Sequence, residues 1–225
     1  LGFIGICLVI QQFENFLTTF LYFFSFKGLM LYLITLVFVK SLHELGHAYI
    51  AKYFGCRVSA IGIAFLVFFP FLYTDTTDAW RLRNHRERLI INFAGILTEL
   101  HLALIATFLW AILPDGGLKS VTFFIATTSW ISSLAINVSP FMRFDGYYVF
   151  GDWLKAENLQ PRSFALAKWR LREVLFGFNH QPPEELNPSR RLTFITYAWF
   201  TWIYRFFLFL GIALLVYHLA FKFLG

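Results

Sequence analysis

Charge is scarce in this sequence. Lys, Arg, Asp and Glu together supply 14% of its 225 residues, against about 25% in soluble proteins. With 58% apolar residues, that shortage excludes an ordinary soluble domain. Cysteine is nearly absent as well. Cys7 and Cys56 form no CxxC pair and no disulfide framework, so both read as packing residues. Internal repeats and low-complexity tracts are missing. The net charge is +6, but the bases cluster between apolar segments, as in the loops of a membrane protein. That pattern excludes a nucleic-acid footprint. The chain begins at Leu1 and not at Met, so a preceding part is expected.

What is abundant is apolar length. Phe alone occurs 30 times, which predicts a surface coated with side chains that face lipid. A spanning helix needs about 20 mostly apolar residues. Residues 1–24 supply a weak candidate, interrupted by Gln11, Gln12, Glu14 and Asn15. Residues 28–54 form a strong one that stops near Gly55, a C′ glycine. The stretch 57–80 is β-branched and aromatic and is broken by Pro70, which predicts a hairpin or re-entrant segment. Further spans are expected over 88–113, about 120–138 and about 192–220. Residues 155–191 read as a charged loop with an amphipathic surface helix around Phe164 to Phe178, suited to anionic lipid.

The expected fold is therefore an all-α polytopic membrane protein with four to five transmembrane helices and a short β-hairpin or re-entrant segment. Its expected divisions are an apolar segment over 1–27, a core over 28–154, a basic loop over 155–191 and a last spanning helix over 192–225. Lys52, Arg57, Arg81, Arg83, Arg86 and Arg88 fall on one side of the bilayer, and Lys155 to Arg191 return to it. The other side has only Lys27 and Lys119. The positive-inside rule makes the basic side cytoplasmic.

One short motif carries chemistry. His43-Glu44-Leu45-Gly46-His47 lies near the end of the 28–54 helix. Histidines four apart share a helix face and can hold one zinc ion, and the Glu beside them can act as a general base. Such residues inside a membrane span are functional candidates by default. A catalytic zinc site wants a third protein ligand and an open position. The candidates at suitable depth are Glu99, His101, Asp145, Glu14 and His218. Asp145 stands out because it follows a span, comes after Asn137 and Pro140, and precedes Gly146. Glu99 reads as a partner for a neighbouring helix or for a group near the site. Asp75 and Asp78 read as turn caps.

The two segments together resemble the site-2 protease family of intramembrane zinc metalloproteases. That family pairs a membrane-embedded HExxH with a distant Asn-x-x-Pro-x-x-x-x-Asp-Gly-like segment. Here the second segment runs from Asn137 through Pro140 to Asp145-Gly146, with Met142 and Phe144 departing from the usual residues. The form Phe-Asp-Gly-Tyr-Tyr is similar to a bacterial branch of peptide zinc metalloproteases linked to peptide export or maturation. The resemblance covers roughly residues 28–155. It implies that His43, His47 and Asp145 are zinc ligands and that Glu44 is the catalytic base. It also implies that Asn137 orients substrate or stabilises the oxyanion. Ala94-Gly95-Ile96 stands where the family often has Gly-Pro.

The implied function is hydrolysis of a peptide bond in a membrane-associated protein or peptide by zinc-activated water. The alternative is an accessory component of a peptide maturation or export system that keeps zinc for structure. The implied partners are the bilayer, a membrane substrate and export-system proteins. The implied location is the bacterial inner (cytoplasmic) membrane, as a multi-pass protein with the site toward the cytoplasm. A metal-transport role lacks a second ligand cluster.

Overall fold

A computed structural model of the protein describes residues 26–66 and 69–224. The expected apolar segment over 1–27, with Cys7 and Glu14, lies almost wholly outside these residues. Those up to Trp153 form one compact unit and those from Leu154 form another.

The first unit begins with helix α1, Phe26–Tyr53. Its buried positions include Thr35, Val39, His43, His47 and Ala51, a row at every fourth residue. That spacing makes one ridge along the helix. Leu29, Ile34, Val37 and Phe38 point outward and are exposed. Lipid-facing surface is the physical reason for this pattern, with apolar side chains outside and polar ones inside. The helix stops where its sequence says it should. Gly55 has φ +76°; its N–H bonds to Lys52 O at 3.0 Å, and that of Cys56 to Ala51 O at 2.9 Å. This is a Schellman cap, which satisfies the last carbonyls. Cys56 is buried with Ala51, Ala79 and Ile91.

A hairpin follows: β1, Ile61–Leu66, pairs antiparallel with β2, Phe69–Thr74, with Ile61 opposite Thr74 and Phe65 opposite Pro70. A short 3₁₀ turn, Thr77–Arg81, leads onward. Asp75 accepts from Thr77 N at 3.0 Å. Asp78 accepts from Arg57 N at 2.8 Å. That backbone N–H, with the Arg81 guanidinium, holds the Asp78 carboxyl below the usual carboxylate range. Both aspartates therefore organise the turn.

Helix α2, His85–Ile112, is capped by Asn84, which accepts from Arg86 N. Its buried face mixes small residues, Ala94, Gly95, Ala103 and Ala106, with Arg88, Glu99 and Thr107. Small residues let helix backbones approach closely in a membrane. Gly46 of α1 shows how closely, since an added Cβ there would overlap Thr98 Oγ1 and lie 3.2 Å from Ala94 O.

The expected span over 120–138 has two parts. Helix α3, Gly117–Trp130, continues into a π-helical stretch, Ile131–Asn137. Here Val138 N bonds to Ser133 O at 2.9 Å, an i→i+5 bond. Such wide turns are rare and concentrate at functional sites. The chain then leaves helical form through Pro140 and re-enters it as α4, Asp145–Trp153.

In the second unit, α5, Leu159–Phe176, packs on α6, Pro188–Leu224. Leu159, Ser163, Leu166 and Ala167 are buried on the first helix, and Phe194, Tyr197, Ala198 and Thr201 on the second. The outer half of α6 is exposed and rich in Phe and Leu. Among the described residues three helices are long and apolar enough to cross a membrane: Phe26–Tyr53, His85–Ile112 and Pro188–His218. The protein is a helical, multi-pass integral membrane protein, with one small hairpin among the described residues.

Candidate metal centre

His43 and His47 lie on the inner face of α1, and Asp145 is the first residue of α4. The fold brings these distant segments to one point. His43 Nε2 is 3.2 Å from His47 Nε2. Asp145 Oδ2 is 2.9 Å from the first and 3.4 Å from the second. Among the described residues this is the one group of three or more His, Cys, Asp or Glu whose donor atoms so converge.

The donor chemistry tests whether a metal fits. His47 Nδ1 lies 2.8 Å from Ile91 O, and His43 Nδ1 lies 3.0 Å from Glu99 Oε1. Both acceptors call for an N–H at Nδ1. In neutral imidazoles the two Nε2 atoms then present lone pairs to each other and to the carboxylate. Asp145 Oδ2 is buried without a hydrogen bond. Three acceptors facing one point repel one another unless a cation lies between them. Metal–ligand bonds of about 2.0–2.1 Å in a tetrahedron put donor atoms roughly 3.3 Å apart, close to the spacing seen here. His, His and Asp are a donor set that suits zinc.

Gly95 forms the floor. A Cβ built on it would overlap Cε1 and Nε2 of His43 and sit 2.5 Å from His47 Nε2. The space beside the donors exists because α2 carries no side chain there. Gly146 allows the other approach, since a Cβ there would overlap Val138 O and lie 2.6 Å from Asn137 O. The glycine after Asp145 thus lets α4 start against the end of the π-helical stretch.

Glu44 lines a cavity of about 710 Å³ together with His47, Asp145, Tyr148, Arg88 and the end of the hairpin. Nothing among the described residues engages its carboxylate, while its backbone carbonyl accepts from Thr74 Oγ1 at 3.0 Å. Asn137 is buried, with Nδ2 2.9 Å from Glu99 Oε2 and 3.4 Å from His43 Nδ1. Of the other candidates for the third ligand, Glu99 faces the far nitrogen of His43. His101 is exposed and bonds back to Leu97 O. His218 is exposed on α6. Glu14 lies outside the described residues.

Two features escape a reading of the sequence alone. Lys40, one turn before His43, bonds to Glu99 at 2.8 Å. Its signal was available, since a lysine within a span needs a partner. The second is a clamp. Arg88 reads as loop charge, yet it is buried and bonds to Asp152 Oδ1 at 2.6 Å. Asn92 donates to Asp152 Oδ2 at 2.7 Å. This clamp fixes α4, and with it Asp145 two turns earlier, against α2. Asp152→Ala leaves a buried arginine without its counter-charge, held among the described residues only by His85 Nδ1 and the Trp80 ring, and breaking such a pair costs about 3–5 kcal/mol. The expected outcome is a lower unfolding temperature in detergent together with weaker zinc retention. Thermal unfolding with and without added zinc checks both.

Residues 30–115 match Peptidase family M50. That stretch holds His43, Glu44, His47, Gly95 and Glu99 and ends before Asn137 and Asp145. Over 137 residues the chain is 26% identical to "Putative peptide zinc metalloprotease protein YydH" of Bacillus subtilis (strain 168). The alignment takes in 60% of this chain and 52% of that protein, so the chain spans about half the length of the curated relative it matches. No solved structure matches the chain.

Proposed function

We propose, from the match of residues 30–115 to Peptidase family M50, that this chain is an intramembrane zinc metalloendopeptidase. Its substrate class is a membrane-associated protein or peptide. The observation that carries the reading is the convergence of His43 Nε2, His47 Nε2 and the unsatisfied Asp145 Oδ2 beside a cavity that Glu44 also lines.

His43, His47 and Asp145 would hold the metal. Zinc supplies a Lewis acid that polarises the scissile carbonyl and makes water a stronger nucleophile at neutral pH. Glu44 takes the proton of the attacking water and passes it to the leaving amine. Its freedom from other partners supports that role. The hairpin is tied to α1 through Thr74 and Glu44 O, and Leu72, Tyr73 and Thr74 of β2 border the cavity. An extended substrate segment can add there as a further strand, with its peptide bonds accessible. Asn137 is the candidate for orienting substrate or the oxyanion. Its amide donates to Glu99 Oε2 at 2.9 Å, on the carboxylate that also meets His43 Nδ1, which favours a role through the Glu99–His43 pair.

His43 lies ten residues before the end of α1 at Tyr53, or roughly 15 Å along the axis. That is about half of a 30 Å hydrocarbon core. With the basic loops cytoplasmic, the reading puts the site at mid-depth and opening toward the cytoplasm of a bacterial inner membrane. Removal of the metal tests the assignment. The detergent-solubilised chain should lose cleavage of a membrane peptide on treatment with a zinc chelator and recover it on addition of zinc. Cleavage that persists in the chelated, metal-free chain would exclude a metalloprotease.

A further inference from the structure

Glu99 neither holds the metal nor moves a proton in the reaction proposed, yet it is completely buried at the middle of α2. A carboxylate in a membrane interior is retained only where its partners are fixed. Its partners come from two other elements. From α1, Lys40 Nζ donates at 2.8 Å and His43 Nδ1 lies at 3.0 Å, both on Oε1. From the π-helical stretch, Ser132 Oγ donates to Oε1 at 3.1 Å and Asn137 Nδ2 to Oε2 at 2.9 Å.

We propose that Glu99 is a positioning residue that sets the orientation and tautomer of His43 for the metal. The inference rests on the zinc reading above. An N–H at Nδ1 bonded to the carboxylate leaves the Nε2 lone pair aimed at His47 and Asp145. A carboxylate in that place also raises the basicity of the imidazole as a ligand. The two histidines are supported unequally, because His47 Nδ1 meets only the neutral carbonyl of Ile91. Lys40 offsets the charge of Glu99, which lets the carboxylate sit in an apolar surround. Asn137 joins the same group to the segment that leads to Asp145. One buried carboxylate thus ties a histidine ligand to the chain that delivers the aspartate.

The π-helical winding makes this possible. At 3.6 residues per turn, Ser132 and Asn137 would fall on different faces. Bonding from i to i+5 brings residues five apart to one face, and both reach Glu99.

The competing role is a simple ion pair that holds α1 to α2. Zinc affinity separates the two. The purified full chain in detergent is titrated with zinc alone against a chromophoric chelator, for wild type, Glu99→Gln, Glu99→Asp and Lys40→Met. A positioning role predicts about 10–100-fold weaker zinc binding in Glu99→Gln. Glu99→Asp keeps the charge but draws the oxygen shared by Lys40 and His43 back from both, so it should weaken binding comparably and still fold, and Lys40→Met supplies the comparison in which the ion pair alone is lost. The cobalt-substituted forms of both should show shifted visible absorption bands. Lys40→Met should lower thermal stability more than zinc affinity. Wild-type affinity and cobalt spectrum in Glu99→Asp would overturn the inference and leave the metal centre standing. A wild-type chain that takes up no stoichiometric zinc would overturn both.

Discussion

Gly95→Ala is expected to abolish zinc binding while the helix around it stays intact. The added methyl overlaps Cε1 and Nε2 of His43 and sits 2.5 Å from His47 Nε2. Non-bonded carbon contacts settle at about 3.5–4.0 Å, so the rings would have to move. Neither is free to do so. His43 is held through Nδ1 by Glu99, and His47 through Nδ1 by Ile91 O. Rotation of either ring away from the methyl also turns its lone pair away from Asp145. Alanine favours helix over glycine by roughly 0.5–1 kcal/mol, so α2 itself gains. The measurement is zinc content by mass spectrometry beside circular dichroism. A folded Gly95→Ala chain with one zinc would show that Gly95 does not border the metal. Gly46→Ala is the control. Its methyl meets mainly Thr98 Oγ1, the end of a side chain, so it should loosen the contact of α1 with α2 and retain zinc.

Glu44→Gln is expected to reduce cleavage by about 10²–10⁴-fold, the usual contribution of a general base or acid, with zinc still bound. The change keeps the size and polarity of the side chain and removes only its ability to take a proton. Glu44 is outside the converging donor group, and nothing among the described residues depends on its charge, so the fold has little reason to respond. The loss corresponds to roughly 3–5 kcal/mol of activation free energy. Turnover of a membrane peptide and zinc content, measured on one preparation, check it. Comparative proteomics of cells with wild-type and Glu44→Gln protein should also show an uncut precursor accumulating. Full activity in zinc-loaded Glu44→Gln would assign the base elsewhere.

Local signals made much of the fold legible. Gly55 marks the end of α1 because only the left-handed region closes a Schellman cap there. Pro70 and the β-branched run before it mark the hairpin. His43 and His47 announce a shared face by spacing alone. What stayed hidden depends on pairs far apart in the chain. Arg88 and Asp152 are 64 positions apart, and no local pattern tells a clamped arginine from a loop one. Glu99 could be read only as a partner for a neighbouring helix or a group near the site; the choice of His43 needed the crossing of α1 with α2. The π-helical stretch has no sequence signature, since Ser132, Ser133 and Asn137 fit an ordinary helix end equally well. Gly95 stood in a recognisable place, but the reason for a glycine appears only when the histidines lie against it.

The π-helical stretch bears on how this region tolerates insertions and deletions. Its outer residues, Ile131, Leu134 and Ile136, are exposed and free to vary among apolar types. Its length is not free. Each residue added or removed between Trp130 and Asn137 turns Asn137 about the helix axis relative to α3 and shifts it along that axis. That rotation would carry Asn137 off Glu99 and change the path by which the chain reaches Asp145. Sequence drift should therefore rewrite the letters of that segment far more readily than it changes their number.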